Sequence, residues 1–153
     1  MTRDQVRKVH SSGTLLHSYL VADGTGSAPS EKELAKLGDG NLLLADVVVG
    51  MLAQMRGSTF DEVLDTVPER DERFPDDEFG TPMWVTTIEM LKSVHASRWE
   101  QKPEISSIYD VHTAFRSTFN LAASATFEFA ELIRQSPVAA AKMMVDMAAR
   151  EMS

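Results

Sequence analysis

The sequence predicts an all-α protein, a compact bundle or orthogonal array of about five to seven helices in a single domain over residues 1–153. Apolar residues recur every three or four positions over several long segments, which is the periodicity of amphipathic helices. Glycine, proline and capping residues stand between those segments. A hydrophobic content of 43% in 153 residues is sufficient for one sizeable core.

The first predicted helix covers residues 3–22. Its apolar positions lie at helical spacing and are Val6, Val9, Leu16, Tyr19 and Leu20. The Ser-Ser-Gly sequence at 11–13 interrupts this pattern, so a break in the helix is the alternative prediction. After a connector of small residues, Ser30 and Glu33 form the signature of a capping box, which predicts a short helix over residues 31–37.

The segment 41–56 is ambiguous between strand and helix. Its three consecutive valines favour a strand, whereas its length and its leucine, alanine and methionine content favour a helix. We interpret it as a largely buried helix that ends at Gly57. One narrow stripe of it is polar or small and consists of Asp46, Gly50, Gln54 and Gly57. Ser58 then caps a short helix over about 59–66, which Pro68 closes.

Residues 68–82 predict an acidic, proline-rich surface loop that divides the chain into two helical halves. Residues 58–80 hold nine acidic side chains and two arginines, and thus seven of the eight net negative charges. Such a loop is a candidate docking surface for a basic protein partner, although most charged runs are solvated connectors. The acidic residues assigned to this predicted interface are Asp71, Glu72, Asp76, Asp77 and Glu78.

Two long helices are predicted in the second half. One face of the first carries Trp84, Ile88, Leu91, His95 and Trp99, and Lys102 and Pro103 end this helix. The second covers residues 107–135 and is interpreted as the central helix, because its helical spacing persists over its whole length. Its polar stripe, which includes Asn120 and Ser124, is predicted to face solvent.

Ser136 and Pro137 predict the start of a final helix that runs from Val138 to about Glu151. Its alanines and methionines permit close and adaptable packing. Two interpretations remain open, because this helix either seals the protein's own core or forms an interface with a partner or a second copy. The residues assigned to this predicted interface are Met143, Met144 and Met147.

Composition and charge exclude several classes of function. The absence of cysteine excludes a disulfide scaffold, a thiolate metal site and a cysteine nucleophile. A chain with a net charge of −8 and no Lys/Arg-rich face lacks the charge that drives nucleic-acid binding, so we predict no nucleic-acid partner. The charged N-terminal segment is not typical of a secretory signal, and the longest apolar stretch is shorter than a bilayer span. We therefore predict a cytoplasmic protein without a membrane segment.

Histidine and carboxylate positions give limited support for catalysis. The four histidines are His10, His17, His95 and His112. None of them shows the spacing that places two metal ligands side by side on a helix, so we predict no metal site and no cofactor. Asp46 lies among apolar neighbours, and burial would make it a candidate base or a partner for a basic group. We favour the interpretation that Asp46 lies on the wet stripe of its helix.

The function favoured by these observations is a small non-enzymatic helical module for protein interaction, regulation or assembly, acting through a protein partner or through self-association. The alternative is a helical enzyme that binds a metal or small ligand in a pocket around Asp46, His95 and His112. A structural or virion assembly component is a further alternative, because it shares the sequence features of the interaction module. The sequence assigns no catalytic residue.

Overall fold

The residues described by the computed structural model form six α-helices and no strand. The structure describes residues 1–22, 30, 32, 37, 39–68, 81–103 and 111–153, with 81–83 and 111–113 described by their backbone alone. The helices are α1 (Arg3–Val21), α2 (Gly40–Arg56), α3 (Phe60–Thr66), α4 (Thr81–Ala96), α5 (Val111–Ile133) and α6 (Pro137–Met152). The predicted all-α, single-domain architecture is confirmed.

Two predicted segments lie mostly outside the described residues. They are the short helix over residues 31–37 and the acidic loop over residues 68–82. Thr81 and Pro82, at the end of that predicted loop, form the start of α4.

The longest helix, α5, lies at the centre of the fold. It has 23 residues and packs against α2, α4 and α6, while α1 packs against α6 and α2. Two of its phenylalanines, Phe119 and Phe129, are fully buried in the hydrophobic core. None of the described helices combines the length and hydrophobicity needed to cross a bilayer.

The first helix, α1, is continuous, so the alternative of a break at residues 11–13 is wrong. It begins with a capping box, in which Thr2 Oγ1 accepts a hydrogen bond from the Gln5 N–H at 3.1 Å. The small residues in its middle serve helix packing: Ser12 is fully buried, and a Cβ added at Gly13 would lie 3.2 Å from Val145 Cγ2 on α6. Small side chains here let α1 approach its neighbours closely.

The segment 41–56 is helical as predicted, within α2. Its valines Val48 and Val49 are fully buried, so tertiary packing outweighs their preference for strands. Gly57 ends the helix in the left-handed conformation, with φ of 66°, and donates its N–H to Ala53 O. The cap of the next helix is Thr59 rather than the predicted Ser58, because Thr59 accepts a hydrogen bond from the Glu62 N–H.

Gly40 lies where α1 and α2 approach each other closely. A Cβ added at Gly40 would overlap Ser12 Oγ and would lie 3.0 Å from the Lys8 carbonyl oxygen. We therefore expect Gly40→Ala to lower the free energy of unfolding by about 1–3 kcal/mol through overpacking, measured by chemical denaturation.

Gly50, on the same helix, is the matched control for this substitution. A Cβ at Gly50 would meet nothing within 4 Å. Gly50→Ala is therefore expected to raise the free energy of unfolding by about 0.5–1 kcal/mol, since alanine suits a helix interior better than glycine. Equal effects of the two substitutions would show that α1 and α2 are not in close contact at Gly40.

The prediction that the polar stripe of α5 faces solvent is wrong for its middle. Asn120 and Ser124 are buried, and Ser124 Oγ donates a weak hydrogen bond to Asn120 Oδ1 at 3.4 Å. Thr118 Oγ1 accepts a bond from Asn41 Nδ2 of α2 at 3.3 Å. Because α5 is packed against three other helices, its middle has no solvent-exposed side. The small polar groups there must therefore hydrogen-bond to other protein groups. Only the end of the stripe, at Glu131 and Gln135, is exposed.

One face of the last helix, α6, packs into the protein's own core. Its buried residues are Ala140, Ala141, Met144 and Ala148. Ser136 caps the helix by accepting a hydrogen bond from the Ala139 N–H at 3.1 Å, and Pro137 occupies its first turn, as predicted. The face that carries Met143 remains exposed.

Candidate functional site

A carboxylate in the middle of the apolar helix α2 forms the centre of the first candidate site. Asp46 Oδ1 accepts a hydrogen bond from His95 Nδ1 at 2.7 Å, and Asp46 Oδ2 accepts one from Trp99 Nε1 at 2.6 Å. The Asp46 side chain is only 13% exposed. The interpretation of Asp46 as a residue on a wet stripe is therefore wrong: a carboxylate this deeply buried needs polar partners, and Asp46 has two.

A strained turn after α4 brings the indole of Trp99 to Asp46. The helix ends at Ala96, well before the predicted end at Lys102. Arg98 and Trp99 then have φ values of 53° and 62°, a left-handed conformation that costs non-glycine residues about 1–2 kcal/mol each. The backbone N–H of Trp99 donates a hydrogen bond to the Val94 carbonyl oxygen at 2.8 Å, and this bond closes the turn. Strained backbone of this kind concentrates at functional sites, where the surrounding contacts hold it in place.

An aromatic ring from a third helix fixes the plane of the His95 imidazole. The Phe60 ring, in the first turn of α3, lies parallel to the imidazole with an interplanar angle of 4° and a centroid separation of 3.5 Å. Phe60 therefore covers one face of the imidazole, while Asp46 occupies its Nδ1 edge. The His95 side chain is nevertheless 42% exposed.

An ion pair one turn before His95 ties α3 to α4. Lys92 Nζ lies 2.7 Å from Asp65 Oδ1. The hydrogen bond to Asp65 is the main cause that raises the pKa of Lys92 above its ordinary value. This pair and the ring contact of Phe60 attach α3 beside the histidine, so the imidazole is held by contacts from two other helices.

The chemistry of this arrangement follows from its hydrogen bonds. A carboxylate oxygen accepts, so His95 donates from Nδ1, and a ring with its one proton on Nδ1 carries its lone pair on Nε2. No described residue is hydrogen-bonded to Nε2. A carboxylate that orients an imidazole in this way is the arrangement found where histidine acts as a base or nucleophile.

The described residues contain no group of three or more metal-ligating side chains that could hold a metal ion. His10 and His17 lie on α1, and the structure brings Asp46 and His95 together. The backbone of His112 lies in the first turn of α5, and its side chain is outside the described part of the chain. Two of the three residues of the predicted pocket are therefore in contact.

The second candidate site is a groove between α1 and α6, with one residue from α2 at its side. Its volume is about 130 Å³. Seven of its eight lining residues are apolar, and the lining consists of Met1, Val6, Val9, Val47, Met144, Met147, Ala148 and Glu151. The groove is partly open to solvent, so it can admit a side chain from another molecule. We call it the α1–α6 groove.

The residues assigned to an interface by the sequence fall into three groups. Met144 and Met147 line the α1–α6 groove, Met144 being buried and Met147 half-buried. Met143 is 40% exposed and lies outside the groove lining. The acidic residues Asp71, Glu72, Asp76, Asp77 and Glu78 lie outside the described residues.

The roles of several residues in the two sites were not predicted from the sequence. The role of Phe60 could not be predicted, because its contact with His95 joins two helices that are distant in sequence. Trp99 gave a partial signal, since it was placed on the same helix face as His95. Val6 and Val9 were identified as apolar positions of the first helix, but nothing in their spacing distinguishes a groove wall from the core.

Comparison of the chain with protein-family models, with curated proteins and with solved structures finds no match.

Proposed function

We propose that this protein is a small helical module that binds a partner protein through the α1–α6 groove. The observation that carries this proposal is an open apolar groove whose walls include three methionines, Met1, Met144 and Met147. Methionine is flexible and polarisable, and it is common on surfaces that adapt to a bound helix. An exposed apolar groove with a polar rim is typical of protein interaction sites.

The size of the groove limits what enters it. Its volume of about 130 Å³ is close to that of apolar protein cavities that hold one benzene molecule, which are about 150 Å³. The groove therefore accommodates one large apolar side chain rather than a folded surface. Recognition of this kind is typical of an amphipathic helix that inserts an apolar anchor between two helices of its receptor.

The charge at the rim indicates the residues that flank this anchor. Glu151 is exposed at the groove and forms no ion pair with any described residue. An unpaired carboxylate at the edge of an apolar groove favours a cationic side chain beside it. We therefore assign the groove to an amphipathic helix of a partner protein that carries Lys or Arg beside one large apolar residue.

The proposal is tested by selecting binders from a displayed library of amphipathic helices and measuring their affinity for matched variants. We expect the selected helices to combine one large apolar residue with Lys or Arg neighbours. Met147→Lys, in the groove wall, should weaken their binding by about tenfold or more. Met143→Lys makes the same change on the same helix outside the groove and should leave the affinity unchanged.

Two further measurements keep the outcome clear. Circular dichroism establishes that each variant is folded. Glu151→Lys should lower the affinity of basic helices for the groove while leaving the fold intact. Helices that bind Met147→Lys as tightly as the unmodified protein would contradict the proposal, and so would a selection without preference for positive charge. Light scattering that shows a dimer dissociated by Met147→Lys would assign the groove to a second copy and overturn the proposed partner.

A second candidate function is a ligand-binding or catalytic site around Asp46 and His95. It is favoured by the 2.7 Å hydrogen bond between these two residues, which leaves His95 Nε2 without a partner among the described residues. This function and the interaction module use different residues, so each is tested separately.

A further inference from the structure

We infer that His95 is a nucleophilic histidine whose Nε2 accepts a phosphoryl group from a phosphoramidate donor, such as a phosphohistidine on another protein. This inference rests on the second candidate function and is independent of the α1–α6 groove. Its observations are the Asp46–His95 hydrogen bond, the Phe60 contact and the exposure of the ring.

The first requirement is a fixed tautomer with a free lone pair. The hydrogen bond of 2.7 Å to Asp46 keeps the proton on Nδ1, so the lone pair lies on Nε2. Trp99 donates to the other oxygen of Asp46 at 2.6 Å and fixes the position of the carboxylate. Asp46 is a positioning residue here, since it acts on the reacting nitrogen through the ring.

The second requirement is access along one edge of a ring that does not rotate. Phe60 lies 3.5 Å from the imidazole, centroid to centroid, and blocks one face. The side chain is still 42% exposed, and no described residue bonds to Nε2. A nucleophile on a partly exposed ring that is held in one orientation is preorganised for attack, because little motion is lost on reaching the transition state.

A cation stands one turn after the histidine. Arg98 is exposed, its N–H donates to the His95 carbonyl at 2.9 Å, and it forms no ion pair with a described residue. Its guanidinium group is suited to pair with phosphoryl oxygens in two parallel hydrogen bonds. The strained backbone at Arg98 places this side chain on the turn that carries Trp99.

The reaction balances without a further reactant. The Nε2 lone pair attacks phosphorus, the Nε2–P bond forms, and the P–N bond of the donor breaks. The donor is protonated on its nitrogen group, as in zwitterionic phosphoramidate or a phosphohistidine ring that carries a second proton, so its nitrogen leaves with the electron pair of that bond as neutral ammonia or imidazole. The His95 ring becomes cationic while it keeps its Nδ1 proton, and the adjacent Asp46 carboxylate stabilises that charge.

Phosphoramidate itself is the probe for this inference. The full chain is incubated with it, and the phosphoryl group at each histidine is followed by intact mass and by peptide mapping under alkaline conditions. We expect His95 to be labelled at least about tenfold faster than His10 and His17, whose rings have no carboxylate partner among the described residues. This comparison is made within one protein and requires no variant.

Asp46→Asn tests the positioning role. We expect it to slow labelling of His95 by roughly 10- to 100-fold, as is common when a group that orients a reactive imidazole is removed. Labelling of His10 and His17 should stay unchanged, and circular dichroism separates this effect from loss of the fold. Equal labelling rates at the three histidines would overturn the inference, and so would a His95 rate that is the same in Asp46→Asn. Binding of helices at the groove is unaffected by either result.

Discussion

Replacing Phe119 with alanine is expected to lower the free energy of unfolding by about 3–5 kcal/mol, the largest effect of a single substitution that we predict. Phe119 is fully buried in the middle of α5, the helix that contacts α2, α4 and α6. Its ring meets Tyr19 of α1 edge-on, with centroids 5.8 Å apart and an interplanar angle of 84°. Alanine would leave a cavity at this position and remove the ring contact.

Chemical denaturation of matched variants separates these two contributions. Phe119→Leu retains most of the apolar volume and should cost less than about 1.5 kcal/mol. A double-mutant cycle of Phe119→Leu with Tyr19→Leu should give a coupling energy of about 0.5–1.5 kcal/mol for the edge-on pair. If Phe119→Ala unfolds at the same denaturant concentration as the unmodified protein, the core is not centred on α5.

Asp46→Ala is expected to lower the free energy of unfolding by about 2–4 kcal/mol. The substitution removes the acceptor of two hydrogen bonds to a charged group, each of which contributes about 1.5–3 kcal/mol. The loss is smaller than the sum, because water in the space left by the carboxylate can accept a hydrogen bond from Nδ1 of the partly exposed His95, although it reaches the half-buried Trp99 less readily. The strained turn at Arg98 and Trp99 also loses the contact that holds it.

Gln54→Ala provides the matched control. Asp46 and Gln54 were predicted to lie on the same stripe of α2, and Gln54 is exposed. Its effect should stay within about 0.5 kcal/mol. A double-mutant cycle of Asp46→Ala with Trp99→Phe measures the share of the indole hydrogen bond. If Asp46→Ala is as mild as Gln54→Ala, the Asp46 carboxylate does not hold α2 and the turn after α4 together.

Most of the fold could be predicted because helix formation depends mainly on residues that are close in sequence. The apolar spacing of α1, α4 and α5, the cap at Ser136 and the stop at Gly57 each depend on a few neighbouring residues. For α2, the strand preference of its valines and the length of the segment gave opposite predictions. The segment is helical because its valines are completely buried in the packed core. The polar stripe of α5 was misjudged because spacing identifies a common face, whereas the packing of three other helices decides whether that face is wet.

The candidate sites could be predicted only in part. Asp46 and His95 were noticed as unusual residues on apolar faces, but their contact depends on how α2 and α4 cross. The role of Trp99 depends on two left-handed residues, which nothing in the Arg-Trp sequence indicates. The α1–α6 groove joins the first and last described helices, so no local pattern contains both of its walls.

The packing of α1 against α6 has a consequence for the order of folding. These helices come from opposite ends of the described chain, so their contact closes a loop that contains every other helix, and such contacts carry a large entropic cost. Contacts of high sequence separation form slowly, and the groove does not exist until this one has formed. A partner that recognises the groove therefore binds only molecules that have completed folding, and it slows the separation of the two ends once it is bound.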